Sequence, residues 1–470
     1  MAEAVLGLDV GTSGARAAVI DRAGRLLGTG RRATGTTLGP GWAEQDPEEW
    51  VAAALAAGRE AVSAAGVARV TAVGVAALGP APVLLDAASR PLGRAPLFAL
   101  DTRAEPQRRR LARAAGLPDG DVTHDHALPK LERLREEEPE RLARATLVVD
   151  AAGYLVLALT GTPAMDAISA AEYALPGHPP PVPVPSPGDP LTVAGALAPA
   201  AASALGLEPG APVTTGCYDT YADVAACGVR GPGDAALVLG STGIVAVAVP
   251  SARQVAGLEC VPYPGAGLLL GGWTTTAGAA LRWAAGLVGR DEAALAAEAA
   301  GLAPGAGGLV ALPYLAGERT PVRDPHARGL VLGLTLATTP VQVYRALIDA
   351  VALALRHHVE VLAAAGCRPE RFRVGGGGVR NAAWLGATAD AVGVPLDIVP
   401  HAGEAIGPCD LAWRAVGHAP ADGVASTVEP IAARTARFDE LFGLYGGLHA
   451  PLQAAMHALH RLDDREATAR

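Results

Sequence analysis

The sequence predicts a mixed α/β protein with two domains of similar architecture. A strand-like apolar run leads into the turn Gly11-Thr12-Ser13-Gly14, and another leads into Gly240-Ser241-Thr242-Gly243. A β-compatible run follows each turn, so both segments are predicted β-hairpins. At 470 residues the chain exceeds the ~250–300 residues at which a single core stops growing. A duplicated architecture with domains 1–231 and 232–470 is favoured, and a chance repeat of a short pattern is the alternative.

The elements after the first hairpin alternate between strand and helix patterns. Residues 25–30 continue the hairpin as a third strand, and residues 70–75 and 83–85 are further strand-like runs. A helix is predicted from Pro47, because Asp46 suits an N-cap and acidic residues follow in the first turn. This alternation is typical of an α/β fold.

Composition and charge exclude several classes of protein. The net charge is −9 and the arginines are scattered among carboxylates, so a nucleic-acid partner is not expected. Every apolar run is too short to cross a bilayer and the start lacks a basic leader, so we expect a cytoplasmic protein without a membrane partner. The five cysteines contain no CxxC pair, which argues against a zinc knuckle. A small-molecule substrate is expected, and a homodimer is compatible with the sequence.

The first turn has the residue types that bind a nucleotide triphosphate. Gly11 lets backbone N–H groups approach a phosphate closely, and the hydroxyls of Thr12 and Ser13 add donors. Asp9 precedes the turn and is a candidate for holding Mg²⁺ through a water, while Arg16 follows it as a candidate phosphate contact. An ordinary glycine-rich hairpin turn is the alternative interpretation.

Known phosphate motifs do not fit this chain. A P-loop needs GxxxxGK[ST], but the one lysine in the sequence, Lys130, lies between Pro129 and Leu131. The run Gly375–Gly378 lacks the third glycine of a dinucleotide fingerprint. The two hairpin turns remain the candidates for phosphate binding, favoured by the acid, the pair of hydroxyls and the second copy of the pattern.

Two further segments are candidates for chemistry. Asp219 lies just before the predicted domain boundary, where a carboxylate can take the proton of an alcohol acceptor; a helix cap is the alternative. Glycines 376 and 377 end a strand pattern, so exposed backbone there can pack on a purine while Asn381 or Arg380 hydrogen-bonds its edge. A tight turn without a ligand is the alternative for Gly376, Gly377 and Asn381.

In order along the chain, these residues resemble the FGGY family of carbohydrate kinases, which includes xylulokinases, gluconokinases and glycerol kinases. The resemblance covers nearly the whole sequence. It rests on the segments Leu8–Gly14, Gly41–Pro47 with Trp50, Ala127–Lys130, Leu312–Pro321, and Gly375–Gly378 with Asn381 and Trp384.

The resemblance implies an actin/hexokinase-like fold of two ribonuclease-H-like domains with an interdomain cleft. It implies ATP and Mg²⁺ as cofactors, Asp219 as the catalytic base and Asp9 as the metal residue. The phosphate contacts that it implies are Gly11, Thr12, Ser13, Gly240, Ser241 and Thr242. Gly278, Gly376 and Gly377 match further nucleotide contacts.

The sugar pocket departs from the family pattern. Xylulokinases have Gln-Met-His where this chain has Ala77-Leu78-Gly79-Pro80, so a polar sugar contact is missing. Gly79 and Pro80 remain substrate candidates by position. Asp101 and Arg103 keep the acid and the arginine of another family motif, and a surface ion pair is the alternative.

The sequence therefore predicts ATP-dependent phosphorylation of a hydroxyl of a small sugar, a ketopentose or ketohexose. An actin-like ATPase machine and a catalytically degenerate sugar-binding regulator remain open, since a fold does not fix a function.

Overall fold

The computed structural model describes residues 3–98, 100–118, 120–265, 267–401, 403–418 and 423–468. The strands are β1 (Ala4–Gly11), β2 (Gly14–Asp21), β3 (Leu26–Ala33), β4 (Thr37–Gly39), β5 (Trp42–Gln45), β6 (Val73–Ala77), β7 (Val83–Leu85), β8 (Ala95–Pro96), β9 (Leu147–Val149), β10 (Val193–Ala196), β11 (Pro212–Thr214), β12 (Cys217–Tyr218), β13 (Ala235–Leu239), β14 (Gly243–Val249), β15 (Glu259–Tyr263), β16 (Gly267–Thr274), β17 (Val310–Leu312), β18 (Leu330–Leu332), β19 (Phe372–Gly375), β20 (Leu396–Ile398) and β21 (Ser426–Val428).

The helices are α1 (Pro47–Ala65), α2 (Glu105–Ala114), α3 (Ala127–Glu137), α4 (Pro139–Ala143), α5 (Ala151–Thr160), α6 (Ala167–Ala171), α7 (Pro199–Leu205), α8 (Asp219–Ala226), α9 (Gly278–Leu287), α10 (Glu292–Ala300), α11 (Pro340–Ala364), α12 (Ala382–Val392), α13 (Ile406–Ala415), α14 (Ala432–Gly446) and α15 (His449–Thr468). Among the described residues, no helix has both the length and the apolar character needed to cross a membrane.

The first sheet begins with the predicted hairpin. Strands β1 and β2 pair in antiparallel fashion, β3 adds to β2, and β6 lies parallel to β1 on the other side. Strands β11 and β12 both pair with β6 in parallel. The side chains of β1 are buried along almost its whole length, as expected for a central strand covered on both faces.

The second sheet repeats this arrangement. Strands β13 and β14 form an antiparallel hairpin, β16 adds to β14, and β19 lies parallel to β13 with β20 beyond it. In both sheets the first strand of the hairpin is central. The second hairpin strand and a third strand lie on one side of it, and parallel strands lie on the other side. The prediction of a mixed α/β fold with a repeated architecture is confirmed.

The chain forms two compact units. The first contains Met1–Ala226, Pro262–Gly265 and Glu404–Asp422, and the second contains the remaining residues. The sequence predicts one change of domain at residue 231, so the assignment of α13 to the first unit is the main difference.

Helix α13 joins the first unit because glycines let it approach the first sheet closely. A Cβ on Gly7 would lie 2.6 Å from the sulfur of Cys409, and a Cβ on Gly74 would overlap the carbonyl of Pro408. Cys409 and Trp413 are buried in one apolar cluster with residues of β1 and β2. This long-range packing has no signal in local sequence patterns.

Candidate active site

The turn of the first hairpin has an ion pair next to it. In the β1–β2 register, Asp9 lies opposite Arg16 and Gly11 lies opposite Gly14. Arg16 donates from Nη2 to Oδ2 of Asp9, whose side chain is almost completely buried. The other oxygen, Oδ1 of Asp9, is buried and has no hydrogen-bond partner within the part of the chain that the structure describes. A buried carboxylate oxygen without a partner has unused capacity to bind a ligand.

The turn is held in place by the segment that follows it. Gln45, at the end of β5, donates from Nε2 to the carbonyl of Thr12 at 2.7 Å and to Oγ1 of Thr36 at 2.6 Å. Its Oε1 accepts the indole N–H of Trp50 at 2.6 Å. Asp46 caps α1 by accepting the N–H of Glu48, as predicted. Gln45 and Trp50 thus position the backbone of the candidate phosphate loop.

Asp219 is the first residue of α8 and follows β12 directly. Its Oδ1 accepts the N–H of Thr220 at 2.7 Å and the hydroxyl of the same residue at 3.3 Å, so it also acts as a local cap. Burial and the negative charge of Asp9 raise the pKa of Asp219 to about 7. A carboxyl with such a pKa exchanges its proton readily near neutral pH.

Asp223 is a further acid of this site that sequence reasoning missed. It lies four residues after Asp219, one turn along α8, and burial together with Asp9 raises its pKa to about 7. The negative charge of Asp9 raises the pKa of Arg16, and Asp223 and Asp219 add to that effect. The helical spacing i, i+4 was the signal available in the sequence. The negative charges of three carboxyls therefore all raise the pKa of the Arg16 guanidinium.

The turn of the second hairpin is held by the start of α9. The N–H of Gly278 donates to the carbonyl of Gly240 at 3.0 Å, and the N–H of Ala277 donates to the carbonyl of Ser241 at 2.8 Å. Arg282 donates from Nη2 to the hydroxyl of Ser241 at 2.8 Å. The second unit thus brings together the predicted residues Gly240, Ser241, Thr242 and Gly278.

The glycine run after β19 lies beside the same turn. Gly376 adopts a φ of 85°, and a Cβ on it would lie 2.6 Å from the carbonyl oxygen of Leu239. Asn381 is the N-cap of α12: its Oδ1 accepts the N–H of Trp384 at 3.0 Å, and its amide group donates to the hydroxyl of Tyr344 at 3.3 Å. Backbone at Gly376 therefore lies next to the second turn, while the side chain of Asn381 already has two partners.

Glu318 links another family motif to this region. Its Oε1 accepts the N–H groups of Thr275 at 2.7 Å and of Arg319 at 2.8 Å. The hydroxyl of Thr320 accepts the N–H of Trp273 at 2.6 Å. The segment around Glu318 thus fixes the chain that leads from β16 into Gly278. This is a positioning role that the sequence did not reveal.

The predicted substrate residues Asp101 and Arg103 form an ion pair with little exposure. Asp101 is 1% exposed, and Nε of Arg103 lies 3.1 Å from both of its carboxylate oxygens. Arg103 also donates to Glu44 and lies 5.4 Å from the ring centroid of Trp42. Burial alone would lower the pKa of Arg103, but the hydrogen bonds to Asp101 and Glu44 raise it. The alternative raised by the sequence, an ion pair on the surface, does not describe this pair, because Asp101 is buried.

Lys130 is buried in α3 and faces backbone oxygens. Its ammonium group donates to the carbonyls of His124 and His126, the latter at 3.3 Å. Burial lowers its pKa to about 8, against the opposing effect of the nearby acids Asp125, Asp101 and Glu172. The one lysine of the chain thus holds the loop before α3.

Comparisons with known proteins match both halves of the chain to one family. The profile described as FGGY family of carbohydrate kinases, N-terminal domain, matches residues 4–175, and the C-terminal domain profile matches residues 220–416. The xylulose kinase of Escherichia coli (strain K12) is 30% identical over 420 residues, which are 83% of this chain and 85% of that protein. The chain belongs to the FGGY family of carbohydrate kinases.

Two solved structures of FGGY kinases are similar to the whole chain. A xylulose kinase from Rhodospirillum rubrum matches with a TM-score of 0.82 and 30% identity, covering 97% of this chain and 100% of its own. A structure titled as a xyloylose kinase from Brucella ovis matches with a TM-score of 0.84 and 28% identity, covering 96% and 100%. The predicted fold of two actin/hexokinase-like domains is confirmed, and the protein is an ATP-dependent phosphotransferase with an alcohol group as acceptor.

Proposed function

We propose that this FGGY kinase transfers the γ-phosphoryl group of ATP to a hydroxyl of a ketopentose or ketohexose. The xylulose kinases of E. coli and R. rubrum, each 30% identical, support a ketose of this size. The observation that carries the proposal is the carboxyl of Asp219, whose pKa is raised to about 7 by burial and by Asp9. It is matched to removing a proton from an alcohol at neutral pH.

In the proposed reaction, Asp219 accepts the proton of the sugar hydroxyl. The hydroxyl oxygen forms a bond to the γ-phosphorus, the bond from that phosphorus to the β–γ bridging oxygen breaks, and ADP leaves with the bond's electron pair. Little covalent chemistry falls to the protein in phosphoryl transfer, so positioning and charge stabilisation account for most of the rate. Exclusion of water keeps water from replacing the sugar as acceptor.

The residues around Asp9 fit a Mg²⁺ ion. Oδ1 of Asp9 is buried and has no hydrogen-bond partner among the residues described, and the cluster of three carboxyls outnumbers Arg16. Mg²⁺ is commonly held by one or two carboxylates together with waters and phosphate oxygens, so a cage of protein ligands is not required. Among the described residues, no three acidic, histidine or cysteine side chains are placed to hold a metal by themselves, so the proposed site needs waters and phosphate oxygens as well as Asp9. Bound there, Mg²⁺ would neutralise charge on the phosphates.

The nucleotide contacts are proposed for the two turns and the glycine run. Gly11, with Thr12 and Ser13, offers open backbone: within the described chain, a Cβ on Gly11 would meet one atom, the carbonyl oxygen of Gly14 at 3.8 Å. Gly240, Ser241 and Thr242 form the second phosphate loop of the proposal. Gly278, Gly376 and Gly377 lie in the segments next to that loop and are proposed to contact the nucleotide. Asn381 is proposed to contact it through the hydrogen-bonding capacity that its bonds to Trp384 and Tyr344 leave unused.

The sugar is proposed to bind in the first unit. Asp101 and Arg103 are fixed by their mutual bonds and by Glu44, which favours a rigid hydrogen-bonding surface for hydroxyl groups. Gly79 and Pro80 complete the proposed pocket.

Replacement of Asp219 tests the proposal. We expect D219N to lower kcat for sugar-dependent ADP release by about 10²–10⁴-fold, because a general base contributes that much. The matched control is D223N, which removes the carboxyl one turn further along α8 and is expected to cost less than D219N. Calorimetry should give the two variants the same Kd for ATP. ADP release that no sugar stimulates in the wild type, or full sugar-dependent release by D219N, would contradict the proposal.

A further inference from the structure

Two buried polar side chains, Tyr218 and Asp150, lie beside Gly79, and Tyr218 immediately precedes the proposed base. Strand β12 pairs with β6 so that Tyr218 lies opposite Ala77. A Cβ on Gly79 would overlap the ring of Tyr218 and would lie 2.6 Å from Oδ2 of Asp150. The absence of a side chain at Gly79 thus brings the phenol ring and the carboxyl to the same place.

Both groups have unused hydrogen-bonding capacity. Oδ1 of Asp150 accepts the N–H of Ala81 at 2.7 Å and the hydroxyl of Tyr173 at 2.7 Å. Oδ2 of Asp150 and the hydroxyl of Tyr218 are both buried, and neither has a hydrogen-bond partner among the described residues. Asp150 is 1% exposed and Tyr218 is 7% exposed. Buried polar atoms are rarely left without partners, so two of them on side chains that both contact the position of Gly79 indicate a ligand that supplies the missing bonds.

The protonation states of the pair suit a neutral ligand. Burial raises the pKa of Asp150 to about 8, against the hydrogen bonds from Ala81 and Tyr173, so its carboxyl carries a proton at neutral pH. Burial also raises the pKa of Tyr218 well above its usual range, so the phenol stays neutral. A protonated carboxyl and a phenol can each donate and accept, as a sugar hydroxyl does.

The surrounding sequence supplies no competing polar group at this point. The segment Ala77-Leu78-Gly79-Pro80 has no polar side chain. Tyr218 and Asp150 are thus side chains with unused hydrogen-bonding capacity beside Gly79, and Asp219 is the next residue after Tyr218. We propose that the Tyr218 hydroxyl and Oδ2 of Asp150 bind one hydroxyl group of the sugar and thereby determine which sugars are accepted. This inference rests on the proposed function, since it deepens the assignment of the same substrate site.

The test combines Y218F with monodeoxy analogues of the best ketose substrate. In the wild type, removal of the hydroxyl that faces Tyr218 should lower kcat/KM by about 10–100-fold, because a buried polar group loses its partner. In Y218F, the parent sugar should show a loss of similar size, and removal of that same hydroxyl should then have little further effect. The other deoxy analogues should show equal penalties in both proteins. A loss spread evenly over all analogues, or an unchanged kcat/KM, would overturn the inference.

Two further variants separate recognition from structure. Y154F removes another buried phenol of the first unit, whose neighbours are Glu48 and Asp46, and should leave the analogue pattern as in the wild type. D150N keeps the shape of the carboxyl and should weaken selection for the same hydroxyl as Y218F does. If the pair binds only a structural water, Y218F will lower the melting temperature without changing the ranking of the sugars, which refutes the inference.

Equilibrium binding of the same sugars without ATP distinguishes this inference from the proposed function. If the protein binds ketoses with the Tyr218-dependent pattern but never releases ADP, the proposed phosphoryl transfer is contradicted. The role of Tyr218 and Asp150 in sugar binding is then supported. If the protein phosphorylates ketoses without that pattern, the proposed phosphoryl transfer is supported. The role of Tyr218 and Asp150 in sugar binding is then refuted.

Discussion

The turns of the two hairpins have similar sequences but different geometries. In the first, Gly11 pairs with Gly14 across a two-residue turn of Thr12 and Ser13. In the second, Leu239 pairs with Gly243 across a three-residue turn that includes Gly240. The register therefore shifts by one residue although the letters Gly-x-x-Gly recur. Loop length selects turn type in hairpins, so the two turns present different backbone groups.

The chemistry of the two turns differs as well. The first is flanked by the charged pair Asp9 and Arg16, whereas the five residues of β13 are all apolar and buried. The second turn is instead joined by its carbonyls to the start of α9 and by Ser241 to Arg282. The architecture is thus repeated in the two units, whereas the charged residues that are proposed for acid–base and metal chemistry lie in the first unit.

Among the differences between the two turns, the largest effect is expected from the acid that the second turn lacks. We expect D9N to lower kcat by about 10²–10³-fold, because no carboxylate of β13 can replace it at the phosphates. A Mg²⁺ titration of sugar-dependent ADP release should show a matching loss of metal affinity. The control is D21N at the other end of the hairpin, where Asp21 binds Arg25 and should affect stability alone. Unaltered Mg²⁺ dependence in D9N would contradict the assignment.

The glycines of the first turn should separate stability from binding. Gly14 has a φ of 149° and a Cβ on it would overlap the carbonyl of Arg32, so G14A should lose about 2–4 kcal/mol of unfolding free energy. Gly11 has open space, so G11A should unfold at nearly the same urea concentration as the wild type. Its methyl group would lie where a phosphate approaches, and KM for ATP should rise about tenfold. If G11A lost stability and kept its KM, this turn would not be a phosphate loop.

The acid cluster predicts a pH dependence. Burial and Asp9 raise the pKa of Asp219 to about 7, and the base acts only when deprotonated. In the free enzyme kcat/KM should therefore fall about tenfold for each pH unit below about 7 and level off above it. In D9N the midpoint should move to lower pH, since a negative charge that raises the pKa is removed. A midpoint near the ordinary value for aspartate in the wild type would contradict the raised pKa of Asp219.

The smallest effect is expected at the hydroxyl of the second turn. S241A removes the acceptor of the bond from Arg282, and KM for ATP should rise about two- to fivefold, as for the loss of one hydrogen bond near the surface. R282Q removes the donor of the same bond. In the double variant, its effect on KM for ATP should therefore not add to that of S241A. Additive losses would show that each side chain contacts the nucleotide separately.

Much of this fold could be predicted because its signals are local. The two hairpins, the cap at Asp46 and the helix from Pro47 all follow from adjacent residues, and the family motifs add the order of the parts. What could not be predicted depends on long-range contacts. Asp223 has a signal in its spacing from Asp219, but its raised pKa depends on burial and on Asp9, which is distant in sequence.

The approach of Asp150 and Tyr218 to each other beside Gly79 could not be predicted from local sequence patterns. Asp150 and Tyr218 are 68 residues apart in the chain, and each residue by itself looks like an ordinary core residue. Their meeting depends on the pairing of β12 with β6 and on the missing side chain of Gly79. Likewise, the sequence predicts Asp101 and Arg103 as sugar contacts with a surface ion pair as the alternative, and the burial of Asp101 has no local signal.

The packing of α13 has a consequence for how this chain can be divided. A protein cut at residue 231 would yield a first fragment whose sheet lacks α13, and the glycines that receive the helix would face water together with apolar residues such as Val5 and Ile20. We expect that fragment to aggregate when expressed alone and to be rescued by a peptide that spans Glu404–Val416. The gene thus encodes two similar folding units, but no single cut in the chain separates them.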